Sequence, residues 1–198
     1  EVAYRKALVS FDALVRKDPG NASWRRERGN VLSNWGHSLI DKGDAKNATD
    51  LLNQALTNHQ ALLAKDPANT NWQLDVSRIH FRLADANMWS GDYPAALTAY
   101  RTAHEIRIGL LQKDPNSPLW RRLVAWSHWK LGAAELVTGD LEAAEANASA
   151  ARDSRAALSA ASPDQAGLRN ELAQSHLLLA RIASKRGRGD LATTAIEQ

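Results

Sequence analysis

The chain contains no cysteine, which excludes disulfides and thiolate metal sites but leaves the redox compartment open. It also lacks any apolar run near the roughly 20 residues that a membrane-spanning helix needs. Charge of one sign never accumulates: 25 Lys and Arg stand against 22 Asp and Glu, a balance of +3 scattered over 198 residues. That distribution makes a solvated surface, not the basic stripe of a nucleic-acid reader. Catalytic signatures are missing as well, since there is no glycine-rich phosphate loop, paired metal-binding histidine motif or serine elbow. Ser127 and His128 are adjacent, but neighbours on a helix point about 100° apart, which defeats a nucleophile–base pair. The expectation is a non-enzymatic protein without cofactor or metal, with neither nucleic acid nor membrane as its partner. Glu1 follows neither an initiator methionine nor a signal-type stretch, as expected for a piece of a longer protein.

What the chain does have is repetition, on a composition 44% hydrophobic that allows a core. "LVRKDPGNASW", "LLAKDPANTNW" and "LLQKDPNSPLW" end at Trp24, Trp72 and Trp120, and 72 − 24 = 120 − 72 = 48. At that period four columns line up. They are Asp18-Pro19, Asp66-Pro67, Asp114-Pro115 and Ser162-Pro163; Gly43, Gly91, Gly139 and Gly187; Ala48, Ala96, Ala144 and Ala192; and the small residues Gly36, Ala84, Gly132 and Ala180. The fourth copy is degenerate, because "RGRGDLA" offers a second Gly-Asp two residues late.

Each column has a mechanical meaning. A residue before proline is pushed out of the helical region, so Asp-Pro stops a helix, and Asn21, Asn69 and Ser117 are placed to cap the next. Gly43 and its copies suit the left-handed residue at a helix end. Asp44, Asp92 and Asp140 then cap the following helix at once. Two helices per unit result, joined by an almost loopless turn, and the small columns let their backbones approach closely.

These residues resemble the tetratricopeptide repeat (TPR). Its leucine-glycine pair is matched by Trp35-Gly36, Leu83-Ala84, Leu131-Gly132 and Leu179-Ala180, and its turn glycine by Gly43, Gly91, Gly139 and Gly187. Ala96 and Tyr100 match its second-helix positions, and Ala7, Ala55, Ala103 and Ala151 its later alanine. The departure is length: a standard unit has about 34 residues, so each helix gains roughly two turns. Long units with this aspartate-proline-asparagine-tryptophan phrase look like arrays attached to signalling or effector domains in bacterial proteins. The resemblance implies an all-α, right-handed α-solenoid of stacked antiparallel helix pairs. About nine helices are expected in a single domain: residues 1–17 as the second helix of a preceding unit, complete units at 18–65, 66–113 and 114–161, and a degenerate unit at 162–198.

Within this frame the column tryptophans Trp24, Trp72 and Trp120 are expected in the core. His80, His128 and His176 are expected to pack at helix seams, since stacked helices stand too far apart to share one zinc ion. The "RGD" at 188–190 reads as a turn after the last first-helix, and the glycosylation-type triplets at Asn21, Asn47 and Asn147 as helix-start or helix-interior sequence.

In the repeat family the concave wall is lined by first-helix positions around the small column. Here these columns do not repeat: Asn34, Arg82, Lys130 and Leu178; Ser33, Phe81, Trp129 and Leu177; Asn30, Arg78, Trp126 and Gln174; His37, Asp85, Ala133 and Arg181. The candidate partner-binding residues are therefore Asn34, His37, Arg78, Phe81, Arg82, Asp85, Trp126, Trp129 and Lys130. Aromatics rimmed by guanidinium and ammonium groups suit a peptide or protein partner carrying carboxylates and apolar anchors. The competing reading buries Trp126 and Trp129 in the extra helical length and pairs Arg78 and Arg82 with neighbouring acids. The function expected is a protein–protein interaction scaffold in the cytoplasm, with self-association through exposed solenoid ends. The alternative is a sensing or regulatory arm of a larger bacterial signalling or defence protein, controlling an attached catalytic domain.

Overall fold

The computed structural model describes the backbone of residues 1–197 and the side chains of residues 1–187, and its described residues are helical, with no strand among them. In chain order the helices are α1 (Val2–Lys17), α2 (Ala22–Ile40), α3 (Ala45–Leu63), α4 (Thr70–Ser90), α5 (Tyr93–Lys113), α6 (Pro118–Thr138), α7 (Leu141–Ala161) and α8 (Ala166–Glu197).

The punctuation works as the columns imply. Asn21 Oδ1 accepts the Trp24 N–H at 3.1 Å, Asn69 Oδ1 the Trp72 N–H at 3.2 Å, and Ser117 Oγ the Trp120 N–H at 3.4 Å. The column tryptophans thus sit in the first turn of each first helix. Their rings are half-buried there rather than in the core, because that turn lies at the end of the helix pair. Gly43, Gly91 and Gly139 adopt φ of 79°, 80° and 92°. The amide of the following aspartate reaches back over the helix end in each copy, Asp44 to Leu39, Asp92 to Asn87 and Asp140 to Glu135. The carboxylates of Asp44, Asp92 and Asp140 then accept the N–H of Asn47, Ala95 and Ala143 at 3.2, 3.1 and 3.1 Å. One residue closes a helix with its backbone and opens the next with its side chain.

Close approach within pairs is equally direct. A Cβ added to Gly36 would stand 2.8 Å from Leu52 Cγ and 3.1 Å from the Ala48 carbonyl oxygen, and one on Gly132 would stand 3.0 Å from the Ala144 oxygen.

The fourth copy departs from expectation. α8 runs uninterrupted through Gly187, so eight helices form among the described residues instead of nine. The reason is local: Arg188 follows Gly187 where the first three copies carry a capping aspartate. Ala180, in the small column, is accordingly exposed. The side chains of the "RGD" segment and of Ala192 lie outside the described residues.

By compactness the chain divides into two units, Glu1–Ile106 and the residues from Arg107 onward. The first is cored by Leu32, Leu39, Leu52, Ala55, Ile79 and Leu83 between α2, α3 and α4. The second has Ala144, Ala148, Leu178 and Ile182 packed together, with Trp129 and Leu136 against them.

Candidate functional site

In the first unit the sequence-derived candidates come from α2 and α4. Asn34 and His37 are exposed, and Arg78 is exposed with one guanidinium nitrogen 3.5 Å from Asp75 Oδ1 on its own helix. Arg82 is half-buried and donates to Ser33 Oγ on α2 at 2.6 Å. Burial pulls its pKa below the ordinary arginine value, and Arg78 adds to the effect. Asp85 is half-buried and accepts the Tyr100 hydroxyl; that phenol is pushed far up, first by burial and then by Asp85 itself. Phe81 is not on the open face. Only 8% exposed, it packs edge-on against Tyr100 with ring centroids 5.2 Å apart, because its helix position faces α5.

Asn34, Arg78 and Arg82 do share one feature, a polar cavity of about 290 Å³. Its floor is His59 of α3, a residue the first-helix columns do not include. His59 is fully buried, and neither ring nitrogen has a hydrogen-bond partner. Asp75 Oδ2 stands 3.9 Å from its Nδ1, beyond hydrogen-bond range, and is taken instead by Arg26 Nε at 2.6 Å. Burial lowers the His59 pKa and outweighs the opposing pull of Asp75. The imidazole fits only because α2 carries Gly29 opposite it: a Cβ there would lie 2.5 Å from His59 Nε2.

In the second unit Trp126, Trp129 and Lys130 are half-buried on α6. The two indoles, 5.7 Å apart, both lie against Arg155 of α7, whose guanidinium carbon is 5.5 Å from each ring centroid. Arg155 is fully buried and donates to the Glu171 carbonyl at 2.7 Å and to Ser175 Oγ at 2.9 Å. Trp129 Nε1 also donates to the Gln174 carbonyl at 3.3 Å. The tryptophans are therefore engaged with a buried cation, a partner absent from the sequence-derived set.

His59 and Arg155 belong to one column, Phe11, His59, Arg107 and Arg155, on the second helices. Arg107 is also buried, 3% exposed, and donates to the Leu123 carbonyl at 3.2 Å. A companion acid column, Glu27, Asp75, Leu123 and Glu171, lies sixteen residues further on. The signal was present as a basic side chain repeatedly placed on an otherwise apolar helix face. Of the histidine column, His80 is half-buried with its pKa lowered by burial, His128 Nδ1 lies 2.8 Å from Asn147 Oδ1, and His176 is exposed rather than packed at a seam.

No family model and no curated protein matches the sequence. Among solved structures the chain is similar to the apo form of RapI, with 16% identity, a TM-score of 0.63, and coverage of 96% of this chain and 47% of that one. It is also similar to BtubC (BKLC) from P. vanneervenii, with 14% identity, a TM-score of 0.50, and coverage of 96% and 90%. The likeness is one of fold, a TPR-like helical repeat. The chain spans about half the length of RapI.

Proposed function

We propose that this chain is a non-catalytic interaction scaffold that takes an acidic peptide or protein partner on first-helix side chains, with Asn34, Arg78 and Arg82 as its main contacts. The observation that carries this reading is the polar cavity of the first unit, onto which exposed Arg78 and half-buried Arg82 converge from α4 while Asn34 faces it from α2. Guanidinium groups present several donors in a fixed fork that matches carboxylates, and an exposed face lets a partner reach them. Trp126 and Trp129 contribute less as anchors in this reading, since part of each ring is spent on Arg155.

The test is capture of binding partners by wild type and by the Arg78→Glu variant, both checked for native helicity. Arg78 is exposed, so charge reversal leaves the fold intact. Partners held by wild type and released by the variant are expected; an identical set on both would overturn the assignment of this face.

A further inference from the structure

The first-unit cavity has the makings of a built site rather than a packing gap. A fully buried imidazole with two idle ring nitrogens is costly, because a desolvated donor that finds no acceptor forfeits its hydration for nothing. Here that imidazole lines a space large enough for a small ligand. The charged groups facing His59 are Arg26 and Glu27 from α2, and Asp75, Arg78 and Arg82 from α4. Three cations thus stand against two anions. Asp75 accounts for Arg26 and lies 3.5 Å from Arg78, whereas Arg82 donates to a neutral hydroxyl, Ser33. That hydroxyl, having accepted from Arg82, keeps its own proton to donate. Apart from Glu27 and the carboxamides of Asn30 and Asn34 at its wall, the cavity offers donors: guanidinium, hydroxyl and an imidazole N–H.

We propose that this cavity binds a small oxyanion, a carboxylate or a sulfate- or phosphate-like group, held by Arg78 and Arg82 with His59 donating from the floor. The proposal rests on the scaffold reading only for the source of the anion, which is either an acidic group of the partner or a free solute. Entry of a negative charge beside a buried imidazole favours its protonated form, so binding draws a proton onto His59. For an anion whose own charge is constant, affinity therefore rises as pH falls from the raised His59 pKa of the complex toward its lowered value in the empty cavity.

The experiment uses the whole chain with sulfate as probe, its charge being fixed between pH 6 and 8, and succinate as the carboxylate counterpart. Calorimetry in buffers of different ionisation enthalpy reads proton uptake, and nitrogen-detected imidazole spectra read His59 directly. Saturable binding at low salt is expected, tighter at pH 6 than at pH 8, with the His59 signals moving. Arg82→Gln should weaken it by about 10- to 100-fold, the usual worth of a charge-assisted hydrogen bond. His59→Gln should bind without taking up a proton. Because Arg82 also ties α4 to α2, the exposed Arg78→Gln variant provides a second reading that does not depend on packing. No saturable binding of either probe, or binding indifferent to both arginine variants, overturns the proposal.

Partner capture in excess sulfate separates the two ideas. Capture abolished by sulfate means that the partner supplies the oxyanion. Capture unaffected by sulfate, with sulfate still bound, makes the ligand a free solute. Bound sulfate with no partner captured leaves the site standing and removes the scaffold reading; a captured partner with no anion binding does the reverse.

Discussion

The seams around His59 and Arg155 occupy the same place in the repeat and solve the same problem differently. In each a second-helix base lies sixteen residues before an acid on the next first-helix, since 75 − 59 = 171 − 155 = 16. In each, too, an arginine of the preceding first-helix reaches that acid across 49 residues: Arg26 to Asp75 and Arg122 to Glu171. The second seam fills its seat with a guanidinium stacked on two indoles and bonded to the backbone. The first uses a smaller, uncharged ring and keeps an open polar cavity above it. One column is filled where a large cation occupies it and leaves a polar cavity open where a small base does.

Removing the acids should separate the seams most sharply. Glu171→Leu removes the carboxylate whose field favours the charge of fully buried Arg155 and which Arg122 holds, at a cost of about 3–5 kcal/mol in chemical unfolding. Adding Arg155→Met should recover most of that loss, as an apolar side chain has no charge to strand. Asp75→Leu should cost less, about 1–3 kcal/mol. His59 is held neutral by burial, and the side chains of Arg26 and Arg78 are 32% and 51% exposed, so water can take them back. Equal losses would mean that the first seam, like the second, is organised around a buried charge.

The helix opposite each seat provides the next test. Gly29 stands thirty residues before His59 and Ala125 thirty before Arg155. Gly29→Ala should destabilise by about 1–3 kcal/mol, because the new methyl would meet His59 Nε2 at 2.5 Å and Asn58 Nδ2 at 2.7 Å, and Asn58 is held by the Arg25 carbonyl at 2.6 Å. Combining it with His59→Ala should relieve the clash, leaving the double variant more stable than the sum of the single losses predicts. Additive losses would show that the seat tolerates a larger α2 side chain and that Gly29 is not what admits the imidazole.

The architecture was legible because punctuation is written in side chains that act locally. Asp-Pro, the Asn or Ser caps and Gly-Asp each determine their own few residues of backbone, and copies 48 residues apart reinforce one another. Where that punctuation lapses, at Gly187, so does the expected turn. The arginines at 78 and 82 were singled out through columns that fail to repeat, and they line one cavity. His59 and Arg155 were missed for a physical reason: they lie on second helices, where a basic residue among alanines and leucines reads as an ordinary solvated charge. Only the packing of the following helix buries it. Phe81 erred in the other direction, since its variability suggested exposure while Tyr100 of α5 covers it.

The smallest effect expected is the titration of two histidines of the first unit. His59 and His80 both have pKa values lowered from 6.5 by burial, so the unfolded chain binds protons that the native chain refuses. Stability rises with pH wherever the unfolded state holds more protons. The contribution of these two residues is therefore complete above about pH 6.5 and is lost as pH falls from there toward the lowered native values. Melting temperature should decline across that window in wild type and decline less in His59→Leu, with His80 supplying what remains. Arg155 carries its charge at every pH in this range, so Arg155→Met should shift the whole curve without changing its slope. A slope that persists in the His59→Leu/His80→Leu double variant would place the acid sensitivity elsewhere and leave the first seam no more responsive to protons than the second.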